Sequence, residues 1–148
     1  MNSWLVASIH LLTLGIGFGS LIFRANGLSN LKDQKDLRSI FLADNLYGLA
    51  AFLWISTGLL RAFAGLEKGT EYYLGSTLFL AKMGLFALVF FLELTPIIVL
   101  MRWRKKQKSG VEIDISKAGN LSILSYVELV ILIIIVFLAS AMARNLYY

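Results

Sequence analysis

The stretch LSILSYVELVILIIIVFLASAMA, Leu121 to Ala143, decides the fold, because across 23 residues it carries one charged side chain, Glu128. At 1.5 Å rise per residue, about 20 apolar residues in a helix cross a hydrocarbon core of ~30 Å, and a helix satisfies its own backbone N–H and C=O groups there. Three further runs of this kind lie upstream, at roughly 4–23, 44–64 and 77–101. Residues 1–148 therefore read as a single domain: an all-α membrane protein, an antiparallel four-transmembrane-helix bundle. The composition agrees, since 58% hydrophobic residues, 16% charged residues and a mean hydropathy of +0.75 are too apolar for an ordinary soluble domain.

The charged residues set the expected topology. Lys and Arg accumulate in cytoplasmic connections, and here they gather in two: Arg24, Lys32, Lys35 and Arg38 in 24–43, and Arg102, Arg104, Lys105, Lys106, Lys108 and Lys117 in 102–120. The 65–76 connection has Lys68 and the C-terminal tail Arg144. Both termini are thus expected on the non-cytoplasmic side of a bacterial inner membrane, with the lipid bilayer as the chain's first partner. The two basic loops account for the net charge of +5, so no nucleic acid is implied. RWRKKQK, Arg102 to Lys108, reads as a topology signal with Trp103 as its interface anchor. MNSWLVASIH lacks a basic flank and a cleavage pattern, so it reads as a retained first helix rather than a signal peptide.

Shorter features fill the connections. Leu28 to Leu42 reads as a polar helix leading into the second span, capped by Ser29 or Asn30. VEIDISK, Val111 to Lys117, alternates like a strand but is too short to be more than an irregular or interfacial piece.

Ionisable residues inside spans are costly and face the bundle interior, which makes each a functional candidate. The chain has no cysteine and one histidine, His10, too little for a zinc or copper site. Helical periodicity places His10, Thr13, Leu14, Gly17 and Leu21 on one face, with Gly17 leaving room beside the imidazole. It places Ser8, Gly15 and Gly19 opposite, as a small-residue stripe suited to helix packing. The second span aligns Asp44, Tyr47, Ala51, Trp54, Gly58 and Arg61. The third aligns Lys82, Phe86, Val89, Glu93 and Pro96, and the fourth Ser125, Glu128, Leu132, Ile135 and Ala139.

With alternating helix direction these residues separate by sign. His10, Lys82 and Arg61 fall in the outer half, while Asp44, Glu93 and Glu128 fall in the inner half. The plainer readings stand beside this one: Lys82 and Arg61 can snorkel to headgroups, Asp44 can cap the second helix, and His10 can be a buried hydrogen-bonding group between helices. Glu93 and Glu128 lie too deep to reach water and call for pairing, with each other or with Tyr126 or Ser125, or for a wet cavity.

His10 in the first span, ADNLYGLAAFLWISTGLLR (Ala43 to Arg61) in the second, KGTEYYL (Lys68 to Leu74) after it and LFLAKMGLF (Leu78 to Phe86) in the third together resemble the bacterial membrane family catalogued as domain of unknown function 2214. The likeness runs over roughly Ile9 to Arg104, and that family implies no particular activity. More distantly, the layout is similar to the HemJ-type protoporphyrinogen oxidases and the CopD-like copper-resistance membrane proteins. The HemJ likeness implies haem b held by a first-helix histidine and a later lysine, for which His10 and Lys82 stand in comparable places. The second-helix and loop motifs differ, so oxidase activity is not carried over.

Two functions are expected from these residues. One is a haem b-binding protein with a redox or porphyrin-handling role, in which His10 meets the iron, Arg61 and Lys82 meet propionates or supply a second ligand, and Met83 or Met142 is a rival ligand. The other is a non-enzymatic accessory subunit or assembly factor that packs a membrane-protein partner, or a second copy as a homo-oligomer, on the Gly15/Gly19 face. A small proton-coupled transporter component ranks third, because four spans offer no second inverted half.

Overall fold

The structure, a computed structural model, describes residues 3–64 and 70–144. Among them are five α-helices and no strand: α1 (Ser3–Ser29), α2 (Leu37–Phe63), the short α3 (Thr70–Gly75), α4 (Thr77–Lys108) and α5 (Ala118–Ala143), with a 3-10 turn at Gln34–Asp36. α1, α2, α4 and α5 are each long and apolar enough to cross a membrane. Their outer faces carry large apolar side chains such as Leu12, Phe52 and Phe137, which are 66–71% exposed. Water would penalise that surface, whereas lipid tails accept it. Lys68, used in the charge count, and Gly69 of the KGTEYYL motif lie outside the described residues.

The helices outrun the apolar runs that announce them. α1 continues through Arg24 to Ser29, and α2 starts at Leu37, two turns before Asp44. Neither Ser29 nor Asn30 starts a helix: Ser29 is the last residue of α1, and Asn30 follows it, its N–H donating to the Asn26 carbonyl. The cap in this connection is Asp33, whose side chain accepts from the Lys35 N–H at the start of the 3-10 turn. α4 runs through Pro96 and carries Arg102 to Lys108 on its last turns. It ends in a left-handed Gly110 (φ +65°), with Gly110 N–H donating to Gln107 and Val111 N–H to Lys106. Only a residue without Cβ takes that backbone cheaply. The segment 111–117 that follows is irregular, as its length implies.

Packing is uneven along the bundle. α1 packs on α2 and α5, and α5 packs on α4, while α2 and α4, which would close the ring, stand further apart. At the end bearing the 30–36 and 109–117 connections the interior is filled by Leu28, Leu37, Ile40, Leu100, Trp103, Ile113 and Leu121. Trp103 is therefore core rather than the expected interface anchor. The α1–α2 contact is so close there that a Cβ on Gly27 would meet Ile40 Cγ1 at 2.8 Å. The other end of the bundle holds a cavity.

Candidate functional site

The faces read from helical periodicity are the ones the bundle buries: Thr13, Gly17 and Leu21 on α1, Tyr47 on α2, Val89 and Pro96 on α4, and Ser125, Glu128, Leu132 and Ile135 on α5. They build two centres, one at each depth.

The inner centre is organised by Arg24, which is fully buried. A guanidinium has five N–H donors, and here each has an acceptor. Nε donates to Ser125 Oγ (3.2 Å). Nη1 donates to Asp44 Oδ1 (2.9 Å) and Glu93 Oε1 (2.5 Å). Nη2 donates to Glu93 Oε2 (2.7 Å) and Glu128 Oε2 (3.1 Å). One side chain of α1 thus ties down α2, α4 and α5. The Tyr47 ring lies 4.9 Å from the Arg24 Cζ, adding a cation–π contact. Asp44 is shared with a second cation, Arg104, which donates to Asp44 Oδ2 (2.6 Å), Asn45 Oδ1 (2.7 Å) and the Phe41 carbonyl (3.1 Å).

Asp44, Tyr47, Glu93 and Glu128 therefore come together as their inward faces imply, but around a cation that the topology count had placed in a loop. Asp44 is not a helix cap: it sits inside α2 and joins two arginines. Glu128 takes Arg24 as its partner, while Tyr126 is exposed and donates instead to Asn26 Oδ1. The signal for Arg24 was its spacing, since residues 17, 21 and 24 continue the buried face of α1 at helical intervals. Arg104 carried no such signal, because its acceptor Asp44 lies 60 residues away.

The outer centre is a cavity of about 590 Å³, whose walls include His10, Trp54, Gly58, Arg61, Tyr73, Phe79, Lys82, Met83, Phe86 and Met142. His10, Arg61 and Lys82 thus share one space, as their depth implies. His10 Nδ1 lies 2.8 Å from Thr57 Oγ1. The single hydroxyl hydrogen of Thr57 is directed to the Leu53 or Trp54 carbonyl, at 2.7 and 3.1 Å. Thr57 must then accept from Nδ1–H. Room beside the imidazole comes from Gly58, where a Cβ would lie 3.3 Å from His10 Cε1, and not from Gly17, which faces Ala50 of α2. Lys82 Nζ lies 5.0 Å from the Phe79 ring centroid. The Trp54 ring meets His10 at 5.7 Å on one side and Phe86 at 5.7 Å on the other.

The outer centre thus brings an imidazole, two basic side chains and aromatic walls to one cavity. Among the described residues no group of three or more His, Cys, Asp or Glu is arranged to hold a bare metal ion. The three carboxylates of the inner centre are occupied by arginines instead.

The family model described as "Predicted membrane protein (DUF2214)" matches residues 2–146, so the chain belongs to that family. No curated protein and no solved structure matches it.

Proposed function

We propose that this member of the DUF2214 family binds a planar, anionic, mostly apolar cofactor in the outer cavity, and that haem b is the cofactor its donor set fits. The observation that carries the reading is the meeting of His10, Arg61 and Lys82 on one cavity of about 590 Å³, a volume within the usual range of ligand sites. His10 would hold the iron, with Thr57 fixing the ring by its hydrogen bond at Nδ1, as outer partners of metal-bound imidazoles do. Arg61 and Lys82 would pair with the propionates, and Trp54, Phe79 and Phe86 would flank the macrocycle. Lys82, Met83 and Met142 line the same cavity and would be the candidates for a second ligand to the iron. Bound haem would supply one-electron redox chemistry; the protein's part is to hold and orient it away from water. The test is the absorption spectrum of detergent-purified protein from cells supplied with a haem precursor. A Soret band is expected, and a colourless protein from haem-replete cells removes the reading.

A second reading, an accessory subunit of a larger membrane assembly, is favoured by the outward stripe of α1. Ser8, Gly15 and Gly19 are exposed, and a Cβ on either glycine would meet nothing within 4 Å. A colourless protein that purifies with one reproducible membrane partner supports it. Either function is placed in an inner membrane with both chain ends outside, on the strength of the basic connections 24–43 and 102–120.

A further inference from the structure

The inner centre has an unbalanced charge and an unpartnered oxygen. Arg24 and Arg104 bring two positive charges against the three carboxylates of Asp44, Glu93 and Glu128, so full ionisation leaves one negative charge in the membrane interior. Glu93 and Glu128 share Arg24 Nη2. Glu128 is fully buried, and its second oxygen, Oε1, has no hydrogen-bond partner among the described residues. Tyr47, stacked on Arg24, is the remaining titratable side chain against the pair. One proton on the pair removes both anomalies, since it cancels the charge and turns an orphaned acceptor into a donor between two carboxyls.

A chamber of about 70 Å³ lies between the inner centre and the outer cavity and is bounded by Glu93, Tyr47, Thr13 and Trp54. It shares the walls Leu14, Trp54, Ile55 and Phe86 with the cavity that holds His10. The volume exceeds the ~10–15 Å³ of such space that one water needs, and a buried water needs two to four polar partners. Its polar wall is the Glu93 carboxylate and the Thr13 hydroxyl, and the indole N–H of Trp54, a third wall residue, is buried with no partner among the described residues.

We infer that the Glu93–Glu128 pair holds one exchangeable proton and passes it through the chamber to the cavity at His10, which makes the protein a proton-exchanging device as well as a binding one. In the transfer the acid O–H bond breaks, its electron pair stays on the carboxylate, and the proton forms a new O–H bond on a chamber water. The inference stands without haem, because neither the pair nor the chamber involves the cofactor.

The experiment is infrared spectroscopy of cofactor-free protein in lipid nanodiscs, moved from H2O to D2O at neutral pH. The wild type is expected to show a protonated-carboxyl C=O band that shifts on deuteration, and Glu128→Gln is expected to lose it. Ala51→Phe fills the chamber and Trp54→Phe removes the indole donor; both should keep the band and slow its deuterium shift tenfold or more. If Ala51→Phe does not fold, Trp54→Phe carries the kinetic arm alone. A wild type without the band, a band that survives in both Glu128→Gln and Glu93→Gln, or wild-type exchange rates in the folded chamber variants overturns the inference.

Discussion

Arg24 and Glu93 form a two-pronged ion pair, Nη1 to Oε1 at 2.5 Å and Nη2 to Oε2 at 2.7 Å, that joins α1 to α4 across the bundle interior. α4 otherwise packs on α5, so this pair belongs to the tertiary structure and not to a helix neighbour. Parallel N–H···O bonds between a planar guanidinium and a carboxylate fix direction as well as distance.

Removal of that cation is the first test of the inner centre. Arg24→Leu leaves Asp44, Glu93 and Glu128 facing one another without it, and breaking a buried pair in this way costs about 3–5 kcal/mol. Arg24→Lys should not restore stability, because an ammonium has three donors where five are used. Unfolding in mixed detergent micelles measures both variants, and wild-type stability in Arg24→Leu would show that the cluster does not hold the bundle together.

The outer centre is tested at His10 and at the residue that orients it. His10→Ala should abolish bound haem while the protein still inserts, and Lys82→Met should shift the spectrum rather than erase it. Thr57→Val keeps the size of the side chain but removes the Nδ1 acceptor, and loss of such a partner lowers metal affinity about 10–100-fold. Haem titration followed by absorbance gives all three. Unchanged haem content in His10→Ala would return His10 to a hydrogen-bonding role between α1 and α2.

Glycine packing makes a contrast within one helix. Gly27→Ala puts a methyl 2.8 Å from Ile40 Cγ1, a β-branched side chain with little freedom to move. Overpacking of this kind costs about 1–3 kcal/mol. Gly15→Ala enters open space on the outer face of α1 and should leave the monomer's stability unchanged or slightly raised. Thermal unfolding of the two variants side by side decides it, and equal midpoints would contradict the close α1–α2 approach.

Orientation is open to labelling. Thr70, at the start of α3, and Ser109, the residue after α4, flank α4 on opposite sides, and a membrane-impermeant thiol reagent applied to intact cells should modify Thr70→Cys and spare Ser109→Cys. The reverse pattern would invert the topology, and the cavity would then face the cytoplasm.

Sequence by itself determined what depends on neighbours along the chain. Four spans follow from hydropathy, because a segment's transfer into lipid is nearly a sum over its own residues. The buried faces follow from the 3.6-residue period, which is why His10 with Gly17 and Leu21, and Ser125 with Glu128 and Leu132, were legible before any packing was known. Depth, counted along each span, likewise separated Asp44, Glu93 and Glu128 from His10, Arg61 and Lys82.

Tertiary structure alone decided where the two arginines belong and where the bundle opens. Arg24 and Arg104 stand at the ends of apolar runs, where composition counts them as loop charge. Their acceptors lie 20 to 104 residues away, and only the folded bundle brings Asp44, Glu93 and Glu128 within reach. The cavity has the same origin. It opens among side chains of all five helices, away from the end filled by Leu37, Ile40, Leu100 and Trp103, and an interhelical gap is a property of several helices that no residue of any one encodes.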